Sequence, residues 1–186
     1  VLQRLLELPE NYPVKANRKR WEEMLVRIPP ITFREKKGKK VISPAARWER
    51  LYNHEMPQMY PVFPFGLYGL GKPDIDIAMN TWDVGYDRPN QKSCNLSWSQ
   101  GVIFCARLGL TDEAKERVCF KLDDSKFRFP SFWGPGHDWS PDHNWGGSGS
   151  IGLQEMIMQT DNKKIIITPA WPKDWDAQFK LNAPYN

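Results

Sequence analysis

The sequence predicts a mainly α fold built of helical hairpins, with a short β segment at the C-terminus. Three observations predict it. Apolar residues recur at helical spacing in several windows between residues 18 and 159. Two of those windows, residues 95–108 and 111–122, are joined only through Gly109 and Leu110, as in an αα-hairpin. The clearest strand pattern, Lys163-Lys164-Ile165-Ile166-Ile167-Thr168, comes near the end.

Taken in order, residues 2–8 read as the end of a helix, stopped by Pro9 and Pro13. Asn17 is placed to cap a helix over residues 18–27, with Trp21, Met24, Leu25 and Ile28 on one face. Pro29-Pro30 ends it. Residues 31–42 are two short β-type runs around Gly38, a hairpin pattern. Ser43-Pro44 opens a short turn of helix to Leu51. Residues 53–71 are rich in proline and aromatics and fit neither helix nor strand; an ordered loop packed near a cavity is expected. A helix follows over residues 73–84, with Pro73 in its first turn and Asp74 and Asp76 at its positive end. After a polar loop come the two helices of the αα-hairpin, the first ended by Gly109 and the second capped by Thr111. A loop over residues 127–145 leads to a helix over residues 148–159, with Ser148 or Ser150 as its cap. Strands are expected at residues 163–168 and 178–182. Successive antiparallel helix pairs with long loops at one end are how an α-toroid is built.

Composition bounds the partners. At 186 residues the chain is long enough for one domain with a sizeable core. No apolar run approaches the roughly 20 residues of a membrane span, so none is expected. The three cysteines are widely spaced and form no C-x-x-C, which argues against a disulfide framework and a structural zinc site. Cys105 and Cys119 fall in helical patterns and read as buried apolar residues. Net charge is +4, unevenly spread: residues 15–50 hold twelve Lys and Arg against four Glu. A basic segment raises nucleic acid as a partner. Its E-K-K-G-K-K centre is a turn pattern, however, and no nucleic-acid motif accompanies it; no nucleic-acid partner is expected.

The chemistry concentrates in residues 137–150, H-D-W-S-P-D-H-N-W-G-G-S-G-S. Flat tryptophan faces suit the apolar faces of sugars, and carboxylates and amides suit their hydroxyls. In a sugar-hydrolysing reading Asp142 is a base that activates water, and Asn144 positions the water or a sugar hydroxyl. Such hydrolysis needs a second carboxyl function across the bond. Glu55, in the aromatic loop beside His54, has the setting of a general acid. Other readings stay open. His137, Asp138, Asp142 and His143 could ligate a metal, at a spacing that matches no set motif. A Gly-rich turn before a helix suits phosphate, although the G-K-[ST] of a P-loop is missing. The run can also be a packing loop without a ligand.

The run Asp142-His143-Asn144-Trp145-Gly146-Gly147-Ser148-Gly149-Ser150-Ile151, followed by Glu155-Met156 and Gln159, resembles the D-G-N-F-G-G-T-A-G-I-A-E-M-L-L-Q-S segment of family 95 glycoside hydrolases. Residues 165–175, I-I-I-T-P-A-W-P-K-D-W, are similar to that family's I-H-L-L-P-A-L-P-x-x-W. Residues 59–64 resemble its L-Y-G-L-Y-P, and Trp98-Ser99 and Ala106-Arg107-Leu108 its W-S and A-R-L landmarks. These are inverting α-L-fucosidases and related α-L-galactosidases. The resemblance implies an (α/α)6 toroid followed by a β domain, with Asp142 as the water-activating carboxylate.

On that footing residues 1–160 are expected to be the C-terminal part of the toroid, and residues 161–186 the start of the β domain. The chain then reads as a fragment of a larger enzyme. Its partners would be an oligosaccharide or polysaccharide and the remainder of the same enzyme. No cofactor is expected, and the resemblance implies a periplasmic or extracellular location. Trp139, Trp145, Trp133, His143, His54 and His137 would join Asn144 in lining the sugar subsites. Where the family has H-R-H-V-S-H, this chain has N-H-E-M-P-Q over residues 53–58, so its substrate contacts differ. The family's general-acid Glu has no counterpart here; either Glu55 replaces it or it lies elsewhere. The alternative is a carbohydrate-binding protein without turnover on the same scaffold.

Overall fold

The computed structural model describes residues 1–9, 16–48, 56–85, 99–123, 143–161 and 164–183; the side chains of His143 and Trp145 lie outside that description. The described residues form six α-helices, one 3-10 turn and two small antiparallel sheets, a mixed architecture in which helix predominates. The chain divides into two compact units, residues 1–31 and residues 32–186.

The first unit holds α1 (Leu2–Leu6) and α2 (Arg18–Arg27). Asn17 takes the cap position of α2 but makes no side-chain cap bond. Arg18 Nη2 donates to Leu6 O at 3.0 Å and ties the start of α2 to the end of α1. Of the expected apolar face, Trp21 and Leu25 are half-buried and Met24 and Ile28 are exposed.

The second unit opens with the hairpin β1 (Phe33–Lys36) and β2 (Lys39–Ile42), paired from Phe33↔Ile42 to Lys36↔Lys39. Lys37 and Gly38 both have positive φ, 52° and 71°, as a two-residue type I′ turn demands. Val41 and Ile42 are buried, and the Ile42 amide donates to Thr81 Oγ1 at 2.9 Å. That bond seats the hairpin on α3 (Ile75–Val84), whose buried face is Ile77, Ala78, Thr81 and Val84. The expected helix from Ser43 does not form over residues 43–48. The Ser43 amide instead donates to Thr32 O and prolongs the hairpin. In the described part of the aromatic loop, a 3-10 turn (Pro57–Met59) buries Gln58 and Met59, and Val62 is also buried. α3 begins two residues later than expected, because Asp74 sits in the left-handed region at φ 55°.

The core is carried by α4 (Gly101–Leu108), α5 (Thr111–Leu122) and α6 (His143–Ile157). Nearly every residue of α4 is buried, as for a helix covered on all sides. Gly109, at φ 74°, closes it with a Schellman pattern: Leu110 N donates to Cys105 O and Gly109 N to Ala106 O. α5 turns back at once, so the predicted αα-hairpin is present. Val102, Cys105, Ala106, Ala114, Val118, Met156 and Ala170 form the central apolar cluster.

α6 departs from expectation at both ends. It begins by His143, not Ser148, so the glycines read as a loop lie inside the helix. Gly149 and Gly152, further along the helix, serve close packing. A Cβ on Gly152 would stand 2.3 Å from Val102 Cγ1, and one on Gly149 3.3 Å from Lys121 Cβ. Glycine in a helix costs roughly 1 kcal/mol against alanine; here the approach of α4 and α5 offsets it. At the other end, Met158 and Gln159 leave the helix to join β3 (Met158–Asp161), paired with β4 (Lys164–Ile167). Thr168 N donates to Ile157 O and Ala170 N to Met156 O, and both hold the hairpin against the helix end. The strand expected at residues 178–182 is unpaired; among the described residues none offers it a ladder.

Candidate functional site

Residue contacts fix the directions of the three core helices. Val102 meets Gly152, and Arg107 meets Glu155 further along both, so α4 and α6 run the same way. α5 runs against them: Arg117 lies beside Gly101, and Lys121 beside Gly149. The start of α6, which directly follows Asp142 in sequence, therefore shares one end of the layer with the end of α5 and the start of α4.

Of the expected site residues, Asp142, Glu55, Trp139, Trp133, His54 and His137 lie outside the described residues. His143, Asn144 and Trp145 form the first turn of α6, and Asn144 is exposed there. Ser148 does not cap the helix. Its Oγ accepts a 2.7 Å hydrogen bond from Lys121 Nζ, and Lys121 is 1% exposed. A buried ammonium is costly unless it is well satisfied. Lys121 thus sets an amine of α5 against the N-terminal half of α6. The sequence signal for Lys121 was its spacing, since Ala114, Arg117, Val118 and Lys121 make one buried stripe on α5.

Arg117 stands on the same stripe. Its guanidinium lies over the Trp82 ring at 4.9 Å, and Trp82 Nε1 donates to Glu113 Oε2 at 2.8 Å. Gln58, 1% exposed, has neither amide atom hydrogen-bonded.

The opposite end of the layer is a polar lock. Arg107 grips Glu155 with two contacts, Nη2 to Oε1 at 2.7 Å and Nε to Oε2 at 2.6 Å. Burial pushes the Glu155 carboxyl above its usual range, and the Arg107 guanidinium pulls back against it. Gln159 Nε2 donates to both Ala106 O and Glu155 O. Leu70 N donates to Arg107 O, and Lys72 bonds Gly66 O and Asp161. Residues singled out in the sequence for a family likeness, Ala106, Arg107, Glu155 and Gln159, thus bond to one another.

Among the described residues, no three His, Cys, Asp or Glu side chains come together as a metal site requires, and no helix is long and apolar enough to cross a membrane. Cys105 is buried, which pushes its thiol up to about 12; Cys119 is exposed rather than buried as expected. A groove of about 890 Å³ is lined by the second half of α5, Leu153, Trp171, Trp175 and three aspartates. It joins distant parts of the sequence, and no local pattern announced it. No family model matches the chain, and no curated protein matches it.

Proposed function

We propose that the chain is part of a larger inverting glycoside hydrolase, with Asp142 as the base that activates water. Glu55 serves as the acid or a substrate ligand. Asn144, His143, Trp139, Trp145, Trp133, His54 and His137 line the sugar subsites. The observation that carries this reading is the run from Asp142 to Gln159. Its small residues pack α6 against α4 and α5, and its Glu155 and Gln159 lock α6 to α4. In sequence, the acidic, amide and aromatic residues come just ahead of that packed stretch.

The helix arrangement supports the toroid in this proposal. Two helices of one direction, α4 and α6, pack on each other and on the antiparallel α5. The connection at one end is two residues, Gly109 and Leu110, and at the other twenty, residues 123–142. A toroid repeats this unit and gathers its long connections at one mouth. Residues 1–160 would belong to it and residues 161–186 would open a β domain, in a protein working in the periplasm or outside the cell.

The test is hydrolysis by the complete enzyme, with product stereochemistry followed by NMR. Asp142→Asn is expected to lower kcat by about 10²–10⁴, and the first product to carry inverted configuration. Full activity in Asp142→Asn removes the assignment. One observation favours a second reading: the general-acid Glu of the family that the sequence resembles has no counterpart in this chain. A protein that binds glycans by calorimetry, turns none over and binds equally well as Asp142→Asn is a lectin on this scaffold.

A further inference from the structure

We propose that Ser148 and Lys121 form a nucleophile–base pair that hydrolyses a short-chain acyl ester, with Ser148 Oγ as the nucleophile and the Lys121 amine as its general base. This inference is independent of the glycoside hydrolase reading. Lys121 Nζ and Ser148 Oγ stand 2.7 Å apart, within reach of proton transfer. The two groups differ in exposure as the two roles require. Lys121 is 1% exposed, whereas Ser148 is only half-buried. Exclusion of water favours the neutral amine of a lysine over its ammonium, and the neutral amine is the form that takes up a proton. The 2.7 Å contact then runs from the serine hydroxyl to the amine.

The glycines on either side of Ser148 do different things. Gly149 is buried, and a Cβ there would stand 3.3 Å from Lys121 Cβ and 3.4 Å from Leu122 Cδ2. The missing side chain lets α5 come close enough for Lys121 to reach Ser148. Gly147 is exposed, and a Cβ there would meet nothing within 4 Å. The nucleophile is thus backed by its base and bordered by open space, which admits a small acyl group. Asn144, one helical turn earlier on the same face of α6, is exposed as well. In the reaction, Ser148 Oγ bonds to the ester carbonyl carbon and gives its proton to Lys121 Nζ. The tetrahedral intermediate collapses, the bond from that carbon to the alcohol oxygen breaks, and the alcohol leaves with the proton from Lys121. Water then attacks the acyl-serine and passes a proton to Lys121. Ser148 Oγ takes that proton back as its bond to the acyl carbon breaks, and the carboxylic acid is released.

The complete protein is incubated with a fluorophosphonate, and the labelled residue is located by peptide mapping. The wild type is expected to be phosphonylated at Ser148 and not at the neighbouring Ser150, which serves as the internal control. It is also expected to release p-nitrophenol from p-nitrophenyl acetate with a burst, as an acyl-enzyme accumulates. Lys121→Met is expected to slow the labelling of Ser148 by about 10²–10⁴-fold. Lys121→Arg is expected to slow it as much, since a guanidinium donates hydrogen bonds but takes up no proton. No labelling of Ser148 in the wild type overturns the proposal, and that result stands whether or not the lysine variants fold. Labelling of Ser148 at the wild-type rate in either lysine variant overturns it too, as does equal ester hydrolysis by Ser148→Ala. Fluorophosphonates report on serine and not on a carboxylate pair, so each of these outcomes leaves the role of Asp142 to its own test.

Discussion

The two ends of the α4–α6 layer are held by opposite means. At one end the helices are stapled by polar bonds: the Arg107–Glu155 pair, Gln159 to Ala106 O, and Leu70 N to Arg107 O. At the other they approach through missing side chains, Gly152 on Val102 and Gly149 on Lys121, around a buried Lys121–Ser148 bond. Staples fix the helices with strong, directional contacts of their own. Glycine contacts fix only a distance. In sequence, residues 137–145 lead into the glycine end.

The comparison can be broken at either end. Removing one half of the staple should cost most. Arg107→Met leaves a carboxylate that is 14% exposed without its cation, and a loss of about 3–4 kcal/mol is expected. Urea unfolding measures it; a loss below about 1 kcal/mol would mean that the pair is dispensable. At the glycine end, Gly152→Ala forces a methyl group to within 2.3 Å of Val102 Cγ1, and a loss of about 2–3 kcal/mol is expected. Adding Val102→Ala should return part of that loss, since it vacates the contact. The smallest effect sharpens the contrast. Gly147 belongs to the same helix, but a Cβ added to it would meet nothing within 4 Å. Gly147→Ala should therefore stabilise the protein by up to about 1 kcal/mol, and a destabilising result would show that Gly147 also serves a contact.

The same contrast explains what could be read from sequence. Gly38 and Gly109 were legible because each serves its own backbone: a positive φ in a turn flanked by patterned runs. Gly149 and Gly152 serve neighbours some thirty to fifty residues away in the chain, which local pattern does not reveal. Gly146 and Gly147, poor helix formers, were placed ahead of the helix, and α6 was expected five residues late. Met158 and Gln159 likewise continue a helical pattern, but pairing with Ile167 and Ile166 overrides it. Residues 178–182 alternate like a strand but pair with no described strand. At the candidate site, the sequence pointed to the start of α6, and Asn144 is exposed there. It did not point to Lys121, because a lysine in an amphipathic helix is ordinarily assigned to the solvent face, nor to the groove, which tertiary packing creates.

The unequal connections around α5 carry a consequence for synthesis. α4 and α5 are joined by two residues, so their pairing closes almost no loop and can form as soon as both have left the ribosome. α6 follows only after twenty connecting residues and is itself fifteen residues long. At ordinary translation speeds this interval is about two to seven seconds. Throughout it, the faces of Val102, Ala106 and Val118 that α6 will cover stay open to water. A nascent chain of this protein thus exposes that apolar face for an interval that begins as α5 is completed and closes when Gly152 reaches Val102.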